Sequence, residues 1–311
     1  MAVIEVEHLT KSYGSAKAVD DISFRVEAGE IFGILGPNGA GKTTTVECIE
    51  GLRTHDKGSV RVLGLDPHAD HRELTQLLGV QLQESALPDK LFVGEALDLY
   101  SSFYENPADW RALATTLGLV TKLGTMFKNL SGGQKQRLSI ALALVGNPRV
   151  AVLDELTTGL DPHARRDTWD LISAVRDSGV TVVLVTHFME EAEHLCDRVA
   201  LVDRGRIVAL DTPAGLAESI QAGMTMRLVV PGTFAESLLR ALPDVTSVTR
   251  RGDTLTVTGN GNVLAAVSAE LAHRNVAPRQ LRVEQASLED AFLELTGRRD
   301  AANDSDQGKE G

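Results

Sequence analysis

One segment of the sequence has the residue pattern of a phosphate-binding loop. It runs through Gly36, Pro37, Asn38, Gly39, Ala40, Gly41, Lys42, Thr43 and Thr44, and it matches GxxxxGK[ST] in full. The glycines let backbone N–H groups turn toward an anion, and the following helix points its positive end at the same anion. Lys42 would reach the β- and γ-phosphates of a nucleotide. The Thr43 hydroxyl would ligate Mg²⁺, and Thr44 would add a phosphate contact. The segment predicts nucleotide binding but does not define the class of NTPase.

Two carboxylates and a histidine end apolar runs further along the chain. Asp154 and Glu155 follow the run 150–153. Asp154 suits a role in holding Mg²⁺, directly or through water, and Glu155 is placed to orient or deprotonate an attacking water. His187 follows the run 181–185, where it could contact the γ-phosphate; taken alone, it would be an ordinary polar loop residue. Together these side chains predict hydrolysis of a nucleoside triphosphate.

Apolar runs and helical patterns alternate around these residues. Continuous apolar runs, typical of strands buried on both faces, lie at 31–35, 150–153, 181–185 and 199–202. Helical patterns lie between them at 43–50, 94–103, 132–145 and 164–178. Half-buried strands are expected at 2–10 and 22–26. This order predicts a mainly parallel α/β sheet that carries the phosphate loop, with an inserted helical subdomain over about 86–147.

The pattern changes after Asp211-Thr-Pro, and we predict a first domain over 1–220 and a second over 221–297. Expected strands and helices in the second domain follow the order βαββαβ, which resembles a small α+β domain of ferredoxin-like type. They lie at 224–230, 234–242, 245–249, 255–258, 263–273 and 281–284. A closing helix is expected at 287–296, and residues 298–311 are predicted to form a disordered acidic tail.

The composition excludes several classes of protein. The chain has 43 acidic and 31 basic residues, a net charge of −12, and such a surface repels nucleic acid. No apolar run approaches the roughly 20 residues of a membrane-spanning helix, and the N-terminus lacks the features of a signal peptide. Cys48 and Cys196 cannot form a disulfide framework. The sequence therefore predicts a soluble, intracellular protein.

Together the motifs resemble the ATP-binding domains of the ABC transporter family, over about residues 2–220 and in the expected order. The resemblance implies a Walker A loop at 36–44, a signature segment of Ser131, Gly132, Gly133 and Gln134, Walker B Asp154, catalytic Glu155, D-loop Asp161 and switch His187. Gln83 resembles the glutamine that touches Mg²⁺ and couples to the membrane partner; Gln81 is nearby, but the spacing before Glu84 favours Gln83. Tyr13 resembles the aromatic that stacks on adenine, its alternative being a rim or core aromatic.

The family resemblance also implies an assembly. Two copies bind head to tail, and the phosphate loop of one copy and the signature segment of the other enclose each ATP with its Mg²⁺. Taken alone, Ser131, Gly132 and Gly133 indicate only a turn and a helix N-cap. In a dimer, that helix start offers a second anion site in trans, to which Gln134 and Asp161 also contribute. Hydrolysis would open the dimer and drive a separately encoded membrane permease from the cytoplasmic face.

One position departs from the family pattern, because Leu156 stands where proline usually follows the catalytic glutamate. Proline would bias Glu155 toward extended backbone, so leucine relaxes its placement. Both carboxylates remain, and ATPase chemistry is expected to survive.

The C-terminal segment 287–297 resembles the daunorubicin/doxorubicin-resistance type of ATPase, which implies drug or antibiotic export. Exporters of sodium, lipid-linked or peptide cargo share much of that segment and remain alternatives. An importer ATPase fits the segment less well. A soluble ABC ATPase that acts on nucleic acid or ribosomes is disfavoured by the single cassette, the absence of heptad repeats and the charge.

Overall fold

The computed structural model describes residues 1–81, 87–219, 224–230, 234–259, 262–284 and 287–307, and the chain divides into two units, Met1–Thr212 and Pro213–Gly311. The first unit contains, in chain order, β1 (Ala2–Tyr13), β2 (Ala16–Glu27), β3 (Ile31–Leu35), α1 (Lys42–Ile49), β4 (Lys57–Val62), α2 (His71–Leu74), β5 (Leu78–Gln81), α3 (Val93–Ser101), α4 (Trp110–Thr116), α5 (Gly132–Leu144), β6 (Val150–Asp154), α6 (Pro162–Asp177), β7 (Thr181–Thr186), α7 (Met189–Leu195), β8 (Arg198–Asp203) and β9 (Arg206–Asp211).

A six-stranded sheet forms the centre of the first unit, in the order β5-β6-β7-β3-β8-β9. All neighbouring strands are parallel except β9, which runs antiparallel to β8. Every residue of β3, β6 and β7 is buried, as the continuous apolar runs predict. Because the carboxyl ends of adjacent parallel strands meet at one edge of a sheet, the segments after β3, β6 and β7 emerge side by side.

A second, antiparallel sheet in the order β2-β1-β4 shares a core with the first. Its strands alternate buried and exposed residues, because only one face is covered. Phe24 of β2 stacks on Phe32 of β3, with ring centroids 5.2 Å apart, so the two sheets contact directly. The hairpin of β1 and β2 thereby holds Tyr13, the last residue of β1, on the same framework as the phosphate loop.

The described part of 86–147 contains α3, α4 and α5 with two short 3-10 helices, Val120–Lys122 and Phe127–Asn129. Phe92 and Met126 form an isolated antiparallel β-bridge, which joins the residue before α3 to the residue before the second 3-10 helix. This segment ends in α5, whose first turn carries the signature segment, and the chain then enters β6 directly.

The second unit contains α8 (Pro213–Ser219), β10 (Met224–Val229), α9 (Ser237–Arg240), β11 (Val245–Arg251), β12 (Thr254–Gly259), α10 (Val263–His273), β13 (Leu281–Glu284) and α11 (Leu288–Gln307). Its strands form an antiparallel sheet in the order β11-β12-β10-β13. A separate apolar core lies between this sheet and its helices, and includes Met226, Leu239, Val257 and Val267.

Two helices of the second unit differ from the sequence-based expectation. The helix expected at 234–242 covers only Ser237–Arg240. Where a disordered tail was expected from residue 298, α11 instead continues to Gln307. Glycine at 297 and the polar residues after it are typical of a helix end, but α11 runs through Gly297, and Ala301 and Ala302 beyond it are strong helix formers. Within the described ranges, no helix combines the length and apolar character that a membrane span requires.

Candidate active site

The phosphate loop connects β3 to α1, and its glycines lie where side chains would collide with neighbouring backbone. A Cβ at Gly36 would meet the carbonyl of Val202, and one at Gly41, whose φ is +103°, would meet that of Ala18. Glycine is therefore required at both positions. The middle of the loop, Pro37 to Gly39, is exposed, whereas Ala40 is buried. The middle of the loop is therefore accessible to a ligand at the edge of the central sheet.

Lys42 lies inside this loop, with its side chain almost fully buried. Its Nζ donates hydrogen bonds to the carbonyl oxygens of Gly36 (2.8 Å) and Pro37 (3.0 Å). Burial lowers the pKa of Lys42, and the nearby Glu155 and Asp154 carboxylates oppose that shift. Its ammonium is therefore poorly solvated, and a polyanion at the loop would stabilise it. Thr43 is exposed in the first turn of α1 and Thr44 is half-buried.

Asp154 ends β6 beside the loop and is 8% exposed. Burial raises its pKa to about 6, the Glu155 carboxylate adds to the rise, and Lys42 opposes it. Its backbone N–H donates to Oε1 of Gln81 at 3.2 Å. A buried carboxylate with so high a pKa lacks sufficient positive charge around it. Such an oxygen ligand, with an exposed threonine hydroxyl in the adjoining helix turn, fits a hard divalent cation such as Mg²⁺.

Glu155 and His187 contact each other at the carboxyl edge of the sheet. Oε1 of Glu155 lies 3.1 Å from Nδ1 of His187, and the Glu155 N–H donates to the carbonyl of Val185 at 2.8 Å. Glu155 has a left-handed φ of +48°, which is uncommon for a residue with a side chain. Leu156, which follows it, is fully buried. Because a proline would restrict the preceding residue toward extended backbone, Leu156 tolerates this left-handed conformation more easily.

The signature segment begins α5 with a capping box. Oγ of Ser131 accepts from the N–H of Gln134 at 3.3 Å, and Oε1 of Gln134 accepts from the N–H of Ser131 at 3.1 Å. Ser131 and Gly132 are exposed, and a Cβ built on Gly132 would come no closer than 3.8 Å to Leu160. The capping box therefore uses the N–H groups of Ser131 and Gln134, and the helix start at Gly132 is exposed to solvent. Both hydrogen bonds join residues at the start of α5 in the same copy, so the binding of a nucleotide held by a second copy stays a prediction.

Asp161 caps α6, where its Oδ1 accepts from the N–H groups of His163 and Ala164, both at 3.0 Å. Those hydrogen bonds lower the pKa of Asp161, and the one from Ala164 has the largest effect.

Tyr13 is 44% exposed at the end of β1, so its ring is accessible for stacking. The role of Asp161 in trans and the stacking of adenine on Tyr13 both stay predictions.

Of two residues near Asp154, the sequence interpretation sets Gln81 aside and misses Glu50, and one predicted residue lies outside the described chain. Gln83 falls in the gap at 82–86, so the structure does not place it. Gln81, which the sequence spacing disfavoured, holds the backbone of Asp154. Glu50 is buried after α1, and burial, with the charges of Asp154 and Glu47, raises its pKa to about 8. A glutamate directly after the apolar Cys48 and Ile49 is the signal that could have identified it.

We expect the Glu50→Gln variant to flatten the pH dependence of stability. The pKa of Glu50 in the folded chain, about 8, lies above the ordinary value of about 4.3. The folded state therefore retains a proton that the unfolded state releases, and the free energy of unfolding falls as pH rises across that window. The slope from this group reaches at most about 1.4 kcal/mol per pH unit.

Thermal unfolding at pH 6 and pH 9 measures this effect. The melting temperature of the wild type should fall more between pH 6 and pH 9 than the melting temperature of Glu50→Gln does. Glu73→Gln, at an exposed position of α2, is the matched control and should follow the wild type. Equal losses in all three proteins would show that Glu50 is not a source of the pH dependence.

Comparison with known sequences gives one family and relatives of nearly full length. The family described as "ABC transporter" matches residues 19–158. The chain is 33% identical over 307 residues to the linearmycin resistance ATP-binding protein LnrL of Bacillus subtilis (strain 168), covering 95% of this chain and 99% of that protein. It is 37% identical over 306 residues to the Nod factor export ATP-binding protein I of Paraburkholderia xenovorans (strain LB400), covering 96% and 98%.

Solved structures of similar fold cover about two thirds of the chain. One is described as the ATP-binding subunit of an ABC transporter, with a TM-score of 0.63 and 26% identity, and covers 69% of this chain and 91% of that one. Another is a dimeric ATP-binding cassette in a post-hydrolysis state, bound to ADP and Pi. It has a TM-score of 0.59 and 25% identity, and covers 67% of this chain and 98% of that one.

Proposed function

The chain belongs to the ATP-binding proteins of ABC transporters, and we propose that it powers drug or antibiotic export through a separate membrane permease. Membership makes it an ATP hydrolase coupled to transport. The observation that carries the chemical part of the proposal is the contact of Glu155 with His187 beside Asp154 and Lys42 at one sheet edge.

ATP binding begins with the phosphate loop. The loop amides and the N-terminus of α1 would take the β- and γ-phosphates, and Lys42 would exchange its bonds to the Gly36 and Pro37 carbonyls for phosphate oxygens. Because Lys42 is already held inside the loop, it loses little conformational freedom when the nucleotide binds. The exposed ring of Tyr13 would stack on the adenine.

Thr43 and Asp154 are the described residues that would hold Mg²⁺, with Gln83 as the third ligand that the family resemblance implies. The ion would neutralise charge on the phosphates as the bond to the γ-phosphate breaks. Asp154 suits this role because its carboxylate is buried, and a cation would return its raised pKa toward the ordinary range.

Glu155 would accept the proton of the attacking water. Oε1 of Glu155 is hydrogen-bonded to Nδ1 of His187. The His187 ring packs on the Phe188 ring, with centroids 4.0 Å apart, so His187 gives the carboxylate a defined orientation. The second carboxylate oxygen would accept the water proton as the water oxygen bonds to the γ-phosphorus and the bond from that phosphorus to the bridging oxygen breaks, which releases ADP. His187 would also contact the γ-phosphate that leaves as inorganic phosphate.

A second copy of the chain would complete the site. The start of α5 carries the exposed N-cap Ser131 and exposed Gly132, and the backbone N–H groups of Gly132 and Gly133 at this helix N-terminus would bind the γ-phosphate held by the other copy. The dimeric ADP- and Pi-bound cassette among the similar structures supports such an assembly. Loss of the γ-phosphate would then open the dimer and move the permease.

The export direction is supported by the names of relatives that align over nearly the whole chain, second unit included. One is a resistance protein and the other an export protein, so Nod factor-like cargo is a second candidate for what this chain exports. The strand order β11-β12-β10-β13 supports a ferredoxin-like second domain. The daunorubicin/doxorubicin-resistance type is our specific assignment, with the chain at the cytoplasmic face of the membrane.

A resistance assay tests the proposed function. Deleting the gene should increase sensitivity to at least one antibiotic in a panel. Wild-type chain should restore resistance, and the Glu155→Gln variant should not. The tagged chain should also co-purify from detergent-solubilised membranes with an integral membrane protein whose own deletion gives the same sensitivity. A deletion strain with unchanged antibiotic sensitivity, together with co-purification of the tagged chain with ribosomes, would contradict a role in export.

A further inference from the structure

The Tyr13 ring is held by a charged residue that the motifs do not include. The guanidinium carbon Cζ of Arg53 lies over the ring, 5.2 Å from its centroid, within the range of a cation–π contact. The ammonium of Lys11 is further away, at 5.9 Å, and is bound by Asp56 at 2.9 Å. Arg53 is therefore the closer cation to the aromatic ring that would carry the base.

Arg53 is itself anchored on the helix of the phosphate loop. Its Nε donates to the carboxylate of Glu47, and its backbone N–H donates to the carbonyl of Glu47 at 3.0 Å. Glu47 belongs to α1, which begins at Lys42. A chain of contacts thus runs from α1 through Glu47 and Arg53 to the Tyr13 ring, and joins the phosphate loop to a residue of the antiparallel sheet.

We propose that Arg53 is a positioning residue for the nucleobase. It fixes the Tyr13 ring relative to the phosphate loop, so that the ring is already oriented for base stacking when the phosphates of a nucleotide bind. The inference rests on the proposed stacking of adenine on Tyr13.

The physical gain comes from preorganisation. An exposed tyrosine at a strand end loses side-chain entropy when a base stacks on it, unless another contact already fixes its ring. A planar guanidinium suits this task because it packs flat on an aromatic face while a carboxylate binds its N–H groups. Arg53 should therefore matter for ligands with a base and not for a bare phosphate chain.

Binding measurements on single and double variants test the inference. Dissociation constants for MgATP and for magnesium tripolyphosphate are measured for the wild type, Arg53→Ala, Tyr13→Ala and the double variant. Arg53→Ala should weaken MgATP binding about two- to fivefold, the size of an exposed cation–π contact, and leave tripolyphosphate binding unchanged. In the Tyr13→Ala background, the same change should have no further effect.

Arg111→Ala is the matched control, because Arg111 lies 4.1 Å over the Trp110 ring on α4 and should leave both affinities unchanged. Equal weakening of both ligands by Arg53→Ala, or an undiminished effect without Tyr13, would overturn the positioning role. An effect of Tyr13→Ala with none of Arg53→Ala would also overturn it. If Tyr13→Ala itself spares MgATP, the proposed base stacking fails instead, which distinguishes the two failures.

Discussion

The Glu155→Gln variant is expected to lose ATP turnover by at least about a hundredfold while it still binds ATP. A positioned general base contributes about 10²- to 10⁴-fold to such reactions, and an amide cannot accept the water proton. Glutamine preserves the size of the side chain and can still hydrogen-bond His187, which lies 3.1 Å from Oε1 in the wild type. Lys42 and the phosphate loop, which would bind the nucleotide, are untouched.

Phosphate release under single-turnover conditions, with ATP affinity measured in parallel, separates the chemical step from binding. Glu190→Gln is the matched control, because Glu190 is an exposed glutamate on α7, close in sequence to His187. It should retain wild-type turnover. Turnover of Glu155→Gln within a few-fold of the wild type would exclude Glu155 as the base.

The Gly132→Glu variant is expected to lose turnover by a similar factor for a different reason. Gly132 is exposed at the first position of α5, where the N–H groups would bind the γ-phosphate of the other copy. A carboxylate placed there would repel that phosphate and occupy the anion site. Loss of one preorganised donor site costs about 10²- to 10³-fold in comparable active sites.

This substitution should not unfold the chain, so its effect reports on assembly. The nearest atom to a Cβ at Gly132 is 3.8 Å away, and an acidic residue in the first helical turn is favourable. Gly132→Ala, which keeps the backbone N–H and adds no charge, should retain most activity. Both variants should melt within a few degrees of the wild type. Full turnover in Gly132→Glu would contradict a role for the signature segment.

Local pattern was enough to predict the parts of the fold that carry the site. The buried runs of β3, β6 and β7 and the glycines of the phosphate loop are features of contiguous sequence, because each depends on burial or backbone geometry within a few residues. The α/β fold and the family are confirmed by the comparisons. The assignment of individual site residues stays a prediction, although the structure brings Lys42, Asp154, Glu155 and His187 together.

Contacts between distant segments could not be predicted. The pairing of Gln81 with the backbone of Asp154 depends on the adjacency of β5 and β6, and the position of Arg53 over Tyr13 depends on how the antiparallel sheet meets α1. The high pKa of Glu50 arises from burial near Asp154; the apolar Cys48 and Ile49 before it indicate a buried position, but the proximity to Asp154 comes from the tertiary fold. The continuation of α11 to Gln307 could not be predicted either, because Gly297 and the polar segment after it both indicate a helix end.

The mass of the Glu155→Gln variant in solution, with and without MgATP, shows whether a second copy completes the site. We expect a monomer of 33.4 kDa without nucleotide or with ADP, and a dimer of twice that mass with MgATP, because the unhydrolysed γ-phosphate bridges two copies. The Glu155→Gln/Gly132→Glu double variant should bind MgATP and stay monomeric. A Glu155→Gln chain that remains monomeric at saturating MgATP, or a double variant that dimerises equally well, would contradict a site completed in trans.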